Sequence, residues 1–338
     1  MAAAGVECHI NLMKHATMGF AEVVRRIGTY AKLLRQTEAI LAREKPDAVV
    51  LIDNPGFNLR VAAAAKRRGM KVVYYVSPQV WAWYSSRIRR IARLVDKMLV
   101  ILPFEAELYR RHGVDCEFVG HPLLDYLSET RLDEKKLEEL AGQGRGRVVG
   151  LLPGSRQREV TKVFPLIARA AAELKTRVPD VTFSVACAHE SHVASVGRIM
   201  RAAGVEGNVY HDRTFEIMKA SRVCIAVSGT ATLELCYFGT PMVVVYRAPA
   251  AAKPLASLML KTRHISLVNV LAGREVAPEF FMFGDAHRPI AMAAGRLLTN
   301  ESRWEECRAE LRRVIEKLGS PGASDRAAAA VLAVAEGD

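Results

Sequence analysis

Short apolar runs recur along the chain, separated by amphipathic stretches. Residues 49–52, 72–76, 98–102 and 118–119 are Val/Ile/Leu/Met-rich and predict buried strands. Between them, 59–68 and 105–112 carry apolar residues at helical spacing. The pattern then repeats: 148–152, 181–186, 209–210, 223–227 and 242–246 predict strands, with helices predicted over 158–177, 192–203, 215–220 and 232–238. Strands alternating with helices predict an α/β fold with parallel sheets and crossover helices. Strand runs without polar alternation predict strands covered on both faces.

A polar segment at 128–147 divides the two series. It contains Asp133-Glu134-Lys135-Lys136 and then Gly142-Gln143-Gly144-Arg145-Gly146, which predicts a solvated helix followed by a flexible connection. Two Rossmann-like, doubly wound domains facing across a cleft follow from this layout, with ligands expected at the carboxyl ends of the strands. The tail from about 286 to 335 reads as helical, broken at Ser320-Pro321-Gly322. A length of 338 residues fits two domains at roughly 150 residues each. Half the residues are apolar and a quarter charged, which excludes a disordered chain. No apolar run reaches the roughly 18 residues a spanning helix needs. A formal charge of +12 points to an anionic partner: nucleic acid, anionic lipid or a phosphorylated substrate. No named nucleic-acid motif appears, and the arginines are spread over many helices, so no nucleic-acid partner is expected.

Two strand-to-helix turns are suited to anions. In LLPGSRQRE, Gly154 lets an anion approach the backbone, Ser155 adds a hydroxyl, and Arg156 adds a forked charged contact. In VSGTATLE, Ser228, Gly229 and Thr230 offer hydroxyls and N–H groups, and Glu234 stands one turn on, where it can accept from ribose hydroxyls. The plain alternatives are an ordinary βα turn and a simple N-terminal cap. Two such turns in one half favour a diphosphate site.

The first half offers less decisive signals. Asp53 ends a strand before Asn54-Pro55-Gly56; it suits a general base or, alternatively, an Asx-type turn. Trp81 and Trp83 follow a strand and precede Arg87, Arg89, Arg90 and Arg93, an arrangement that fits sugar or lipid headgroups or a solvated face. His121 lies near the expected cleft and can bond a substrate hydroxyl or cap its turn. Phe20, Val23, Val24 and Ile27 begin an amphipathic stretch with basic neighbours, either a core-packing helix or a membrane-surface one. The six cysteines show no CxxC pair and are expected to be reduced and mostly buried. His189 and His192 do not form HExxH, and no metal is expected.

Eight segments together resemble one family, lipid-A-disaccharide synthase: IDNPGFN (52–58), SPQVWAW (77–83), LPFE (102–105), FVGHPL (118–123), LLPGSRQREV (151–160), VSGTATLE (227–234), PMVVVYR (241–247) and SLVNVLAGREVAPEF (266–280). Each is weak alone; in the family's order along nearly the whole chain they are specific. The resemblance implies the GT-B fold and an inverting glycosyltransferase that uses neither metal nor cofactor. The reaction it implies moves 2,3-diacylglucosamine from its UDP derivative to the 6-hydroxyl of 2,3-diacylglucosamine 1-phosphate, forming the β-1,6 lipid A disaccharide and UDP. It implies a cytoplasmic enzyme, peripheral on the anionic inner face of the inner membrane of Gram-negative bacteria. Asp53 becomes the expected base. Gly154, Ser155, Arg156, Ser228, Gly229 and Thr230 are expected to meet the diphosphate and Glu234 the ribose. Asn269 and Arg274 join the UDP set, with Trp81 and His121 on the acceptor side of the cleft.

The resemblance implies domains at 1–127 and 145–320, with a last helix over 321–338 returning to the first domain or exchanged within a homodimer. Two departures stand out. Residues 1–6 resemble an internal stretch of the family, so its first strand, glycine-rich loop and first helix are expected to be missing. Met282 stands where the family tends to have glutamine. The competing readings are a truncated chain that binds UDP or membranes without turnover, and another UDP-sugar enzyme such as a UDP-N-acetylglucosamine 2-epimerase.

Overall fold

The computed structural model describes residues 5–10, 27–82, 85–142, 147–247 and 264–337. The chain divides into two compact units. The first comprises the described residues up to Val80, Ser85–Val119, and the chain from Ser324 onward; the second is Gly120–Ala323 together with Trp81 and Ala82.

The first unit is a four-stranded parallel sheet. In chain order its elements are α1 (Ile27–Glu44), β1 (Ala48–Ile52), α2 (Pro55–Lys66), β2 (Lys71–Tyr75), α3 (Ile88–Leu94), β3 (Lys97–Val100), α4 (Pro103–Arg110) and β4 (Cys116–Phe118). The strands lie in sequence order, β1-β2-β3-β4. Right-handed crossovers that always step the same way put every helix on one face. The main core confirms this: Leu33 and Leu41 of α1, Phe57 and Val61 of α2, Ile91 of α3 and Tyr109 of α4 share one cluster with Val72, Tyr74, Met98 and Val100 of the sheet. The opposite face, carrying Val73, Leu99 and Val119, is covered by the chain's last helix through Ala327, Ala330, Val331 and Val334. That helix is held there also by Arg326, whose Nε donates to the Val119 carbonyl at 2.8 Å.

The second unit begins with α5 (Pro122–Glu129) and α6 (Glu134–Gly142). Its sheet strands and intervening helices follow as β5 (Val148–Leu152), α7 (Gln157–Lys162), α8 (Phe164–Arg177), β6 (Thr182–Cys187), α9 (Glu190–Ala202), β7 (Asn208–His211), α10 (Thr214–Ala220), β8 (Val223–Val227), α11 (Ala231–Phe238) and β9 (Met242–Arg247). It closes with α12 (Leu267–Ala272), β10 (Glu279–Met282), α13 (His287–Thr299) and α14 (Glu301–Glu316), before the last helix, α15 (Ala323–Glu336). The six parallel strands run β10-β9-β8-β5-β6-β7. The chain therefore steps from β5 one way to β6 and β7, then returns to lay β8 against the other side of β5. Gly150 permits this close pairing: a Cβ there would stand 2.6 Å from the Cys224 Sγ and 2.7 Å from the Ser221 Oγ.

Both parallel α/β units expected from the sequence are present, and the predicted strands all form. The differences have local causes. The single helix expected over 158–177 is two, because Pro165 in the first turn of α8 cannot donate back to α7. The segment expected to be a solvated helix buries Leu137 and Leu140 of α6. β10 was not anticipated; its EFFM residues are half-buried at a sheet edge. Of the six free cysteines, Cys8 is exposed and the other five are buried. In the amphipathic N-terminal stretch, Phe20, Val23 and Val24 lie outside the described residues, as does the Ile27 side chain. The remainder of that helix packs Leu33 and Leu41 into the core, the core-packing alternative. Arg89 and Arg93 sit on the outside of α3, whose Ile88 and Ile91 face inward, so these arginines form a solvated face.

The seam under α15 gives a direct test. Ala327 is 5% exposed against Val73, Leu99 and Val119. Ala327→Asp leaves an unpaired charge there and is expected to cost at least about 3 kcal/mol, read as a lowered unfolding midpoint. Ala329→Asp, on the exposed side of the same helix, should change it little.

Candidate functional site

In the second unit the site grows from the reversal of winding. Neighbouring strands β5 and β8 end side by side, with Leu151 opposite Ile225 and Leu152 opposite Ala226. Each then turns into a helix, so the two turns share the crevice that such a reversal opens. Gly154, Ser155, Arg156 and Glu159 from the first turn, and Ser228, Gly229, Thr230 and Glu234 from the second, line one cavity of about 600 Å³. That volume suits a small-molecule ligand. Its floor includes Leu152, Met218 and Val227, and its far wall Ala186, Ala188 and Asp212.

Local chemistry shapes each turn. Gly154 has φ +90°, and a Cβ there would lie 2.3 Å from the Glu159 carboxylate, so this position requires glycine. Glu159 accepts from the Arg156 backbone N–H at 3.1 Å and from its guanidinium at 2.9 Å. The Glu159 carboxylate thus holds donors of this turn that an anion could also use. The second turn is cleaner. Thr232 is fully buried and its hydroxyl donates to the Gly229 carbonyl at 2.8 Å, fixing the turn from behind. Gly229 faces open space. The Thr232 and Leu233 N–H groups donate to the Gly229 and Thr230 carbonyls at 3.1 and 2.9 Å, closing the first turn of α11, whose start carries the positive dipole end. Burial raises the Glu234 carboxyl above the usual carboxylate range, as expected for a group that would accept from or donate to neutral hydroxyls.

In the first unit, backbone strain gathers at the carboxyl ends of β1 and β2. Asp53 and Asn54 have φ 49° and 42°, and Val76 has φ 61°, all left-handed without being glycine. Such conformations persist only where the surroundings impose them. The Asp53 carbonyl accepts from Asn58 Nδ2 at 2.7 Å and from the Tyr74 hydroxyl at 2.6 Å, while its N–H donates to the Tyr75 carbonyl at 3.1 Å. Burial, aided by the Asp53 charge, raises the Tyr74 phenol, which therefore stays protonated as a donor. These bonds fix the backbone and leave the carboxylate exposed, with no hydrogen bond to the described residues. It forms no Asx turn. The loop after β2 is pinned likewise: the buried Glu105 accepts from the Ser77 hydroxyl at 2.8 Å and from the Leu102 N–H at 3.3 Å, and the Tyr109 hydroxyl donates to the Pro78 carbonyl at 2.9 Å. Ser77 and Glu105, distant in sequence, are thus one unit.

Other expected site residues fall elsewhere. Asn269 is fully buried, and its amide is spent on backbone: Nδ2 donates to Ala277 at 2.7 Å, and Oδ1 accepts from Val276 and Ala277 at 2.8 and 3.0 Å. It does not line the cavity; it shapes the turn before β10. Arg274 is exposed, paired with Glu310, and also outside the cavity lining. Trp81 is half-buried, and Trp83 lies outside the described residues. His121 caps α5, its Nδ1 accepting from the Leu123 N–H at 3.1 Å. Sequence reasoning missed Tyr126, Arg131, Arg213 and Phe215 of the cavity wall. They come from α5, the linker after it, and the start of α10, where no motif marks them.

His121 yields a pH test. Burial pushes its imidazole down to about 4, while the unfolded chain titrates near 6.5. The neutral cap's contribution is fully present above about pH 6.5 and is lost as pH falls toward 4, because only the unfolded chain takes up the proton in that window. From pH 7 to pH 5 the loss is about 2 kcal/mol. Denaturant titrations should show that His121→Asn, a cap that does not titrate, removes this part of the pH dependence.

Against known proteins, the family described as "Lipid-A-disaccharide synthetase" matches residues 1–334. A lipid-A-disaccharide synthase of Geobacter sulfurreducens is 38% identical over 332 residues, covering 98% of this chain and 86% of the relative. Among solved structures, the S. aureus MnaA–UDP structure aligns with a TM-score of 0.62 at 14% identity over 92% of this chain and 80% of that one. A trehalose-6-phosphate structure from E. coli bound with UDP-2-fluoro glucose aligns at 0.57 and 11%, over 91% and 77%. These two likenesses are of fold alone, the GT-B architecture. Full-length agreement with the first two, together with paired turns at the strand reversal, assigns the chain to the lipid-A-disaccharide synthase family of glycosyltransferases, which form the lipid A disaccharide.

Proposed function

We propose that the cavity of the second unit holds the UDP portion of a UDP-2,3-diacylglucosamine donor and that Asp53 activates the acceptor, 2,3-diacylglucosamine 1-phosphate. The single observation that carries this reading is the meeting of the β5 and β8 turns in one cavity, in a chain whose relatives make this disaccharide. Asp53 takes the proton of the acceptor 6-hydroxyl, whose oxygen bonds to the donor C1 as the C1–O bond to phosphate breaks. Attack from the face opposite the leaving group inverts C1. Negative charge grows on the departing diphosphate. The N–H groups of Ser155, Gly229 and Thr230 and the hydroxyls of Ser155, Ser228 and Thr230, with the Arg156 guanidinium, are donors for that charge and cost little reorganisation. Glu234 receives the ribose hydroxyls.

The acylated substrates place the reaction at a lipid surface, and we infer a peripheral enzyme of the cytoplasmic face of the inner membrane. The formal charge of +12 supports attraction to anionic lipid. None of the described helices is long and apolar enough to cross a membrane. A homodimer that exchanged α15 would use the Val73–Leu99–Val119 seam in trans.

Two substitutions test the assignment. Asp53→Asn keeps the backbone bonds of its turn and is expected to slow transfer by at least about a hundredfold, in an assay of UDP release with lipid donor and acceptor, while calorimetric affinity for UDP stays within about twofold. Undiminished turnover removes Asp53 as the base. Arg156→Ala is expected to weaken UDP binding by about 1–3 kcal/mol, the range for losing a charged hydrogen bond; unaltered affinity removes the diphosphate role.

A further inference from the structure

The cavity has three arginines on its wall, and they differ in what they already hold. Arg156 is paired with Glu159 at 2.9 Å. Arg213 donates to the Asp212 carbonyl at 3.0 Å and lies 3.8 Å from the Asp133 carboxylate. Arg131 is exposed, lines the same cavity, and pairs with no carboxylate among the described residues. An entering anion must compete with Glu159 for Arg156, whereas Arg131 is available at once.

The peptide that carries Arg131 is anchored. It joins α5 to α6, and its Asp133 N–H donates to the buried Glu216 carboxylate of α10 at 3.1 Å. Asp133 Oδ1 in turn accepts from the Lys136 N–H at 3.1 Å, closing the start of α6. On the other side, the Tyr126 ring of α5 meets Phe215 edge-on at 5.9 Å. Residues 130–132 therefore run between two fixed points along the cavity wall. A connection between helices that needed only to span them would not require these ties into α10.

We propose that this connecting peptide is part of the ligand site and that Arg131 is a binding cation for the diphosphate of the nucleotide. The inference rests on the UDP reading above and deepens it. Arg131 supplies charge that the turn arginine, held by Glu159, delivers only after an exchange of partners. Its guanidinium can take two phosphate oxygens at once, and its fixed peptide limits the ordering needed on binding.

Calorimetric titration of the full chain with UDP and with uridine, which lacks the diphosphate, separates the possibilities. Arg131→Ala is expected to raise the UDP dissociation constant by about tenfold or more and to leave that for uridine within about twofold. Arg131→Lys should fall between wild type and the alanine variant. A UDP constant within twofold of wild type in Arg131→Ala, or an equal loss for uridine, overturns the role of Arg131. Wild-type protein that binds no UDP overturns the nucleotide reading itself, so the two failures are distinct. Arg131 is exposed and pairs with no carboxylate among the described residues, so its removal is not expected to perturb folding; matching thermal midpoints check this.

Discussion

The order β9-β8-β5-β6 governs the chemistry of the second unit. A parallel sheet whose strands ran in sequence order would separate the β5 and β8 turns by two intervening strands. Reversal at β5 sets them side by side, and the small side chains at the contact make it possible. Gly150 admits Cys224 and Ser221 at distances no Cβ would tolerate. The cavity is thus a consequence of winding: two helix starts open onto the same space. No single side chain builds it, which is why backbone donors and hydroxyls dominate its anion-facing surface.

The two units solve different problems with one kind of element. The second holds a preformed cavity with charged groups already in contact with each other. The first stores strain at the strand ends, at Asp53, Asn54 and Val76, and spends buried polar side chains, Asn58, Tyr74, Glu105 and Tyr109, on holding the backbone around them. The motifs IDNPGFN, SPQVW and LPFE are therefore parts of one scaffold: the last of them locks the second, and Asn58 and Tyr74 lock the first. The Glu159–Arg156 pair has a comparable economy. A carboxylate keeps the turn's donors satisfied when no anion is present.

Much of this was legible in the sequence. Unbroken apolar runs marked the strands, and small residues between a strand and a helix marked both anion turns. What escaped detection lacked a local signature. β10 has four half-buried residues at an edge and no alternation to reveal it. Arg131 in the polar linker and Tyr126 in α5 look like ordinary surface residues, and only tertiary ties to Glu216 and Phe215 bring them to the cavity. Asn269 and Arg274 lie outside the cavity lining: the amide of Asn269 is consumed in shaping its own turn, and Arg274 pairs with Glu310. Periodicity reports burial and turn chemistry; it does not report which buried polar group serves the scaffold and which the ligand.

The return of α15 to the first sheet bears on how the protein is made. Val73, Leu99 and Val119 emerge from the ribosome before the second unit, and the helix that shields them is synthesised after it. Throughout translation of the second unit, one side of the first sheet lacks its covering helix, and the second unit can complete its own core first. Closure of the N-terminal half then waits on a contact spanning more than two hundred residues, a slow step on entropic grounds. A premature stop near residue 320 removes that cover and leaves Val73, Leu99 and Val119 without the helix that packs on them.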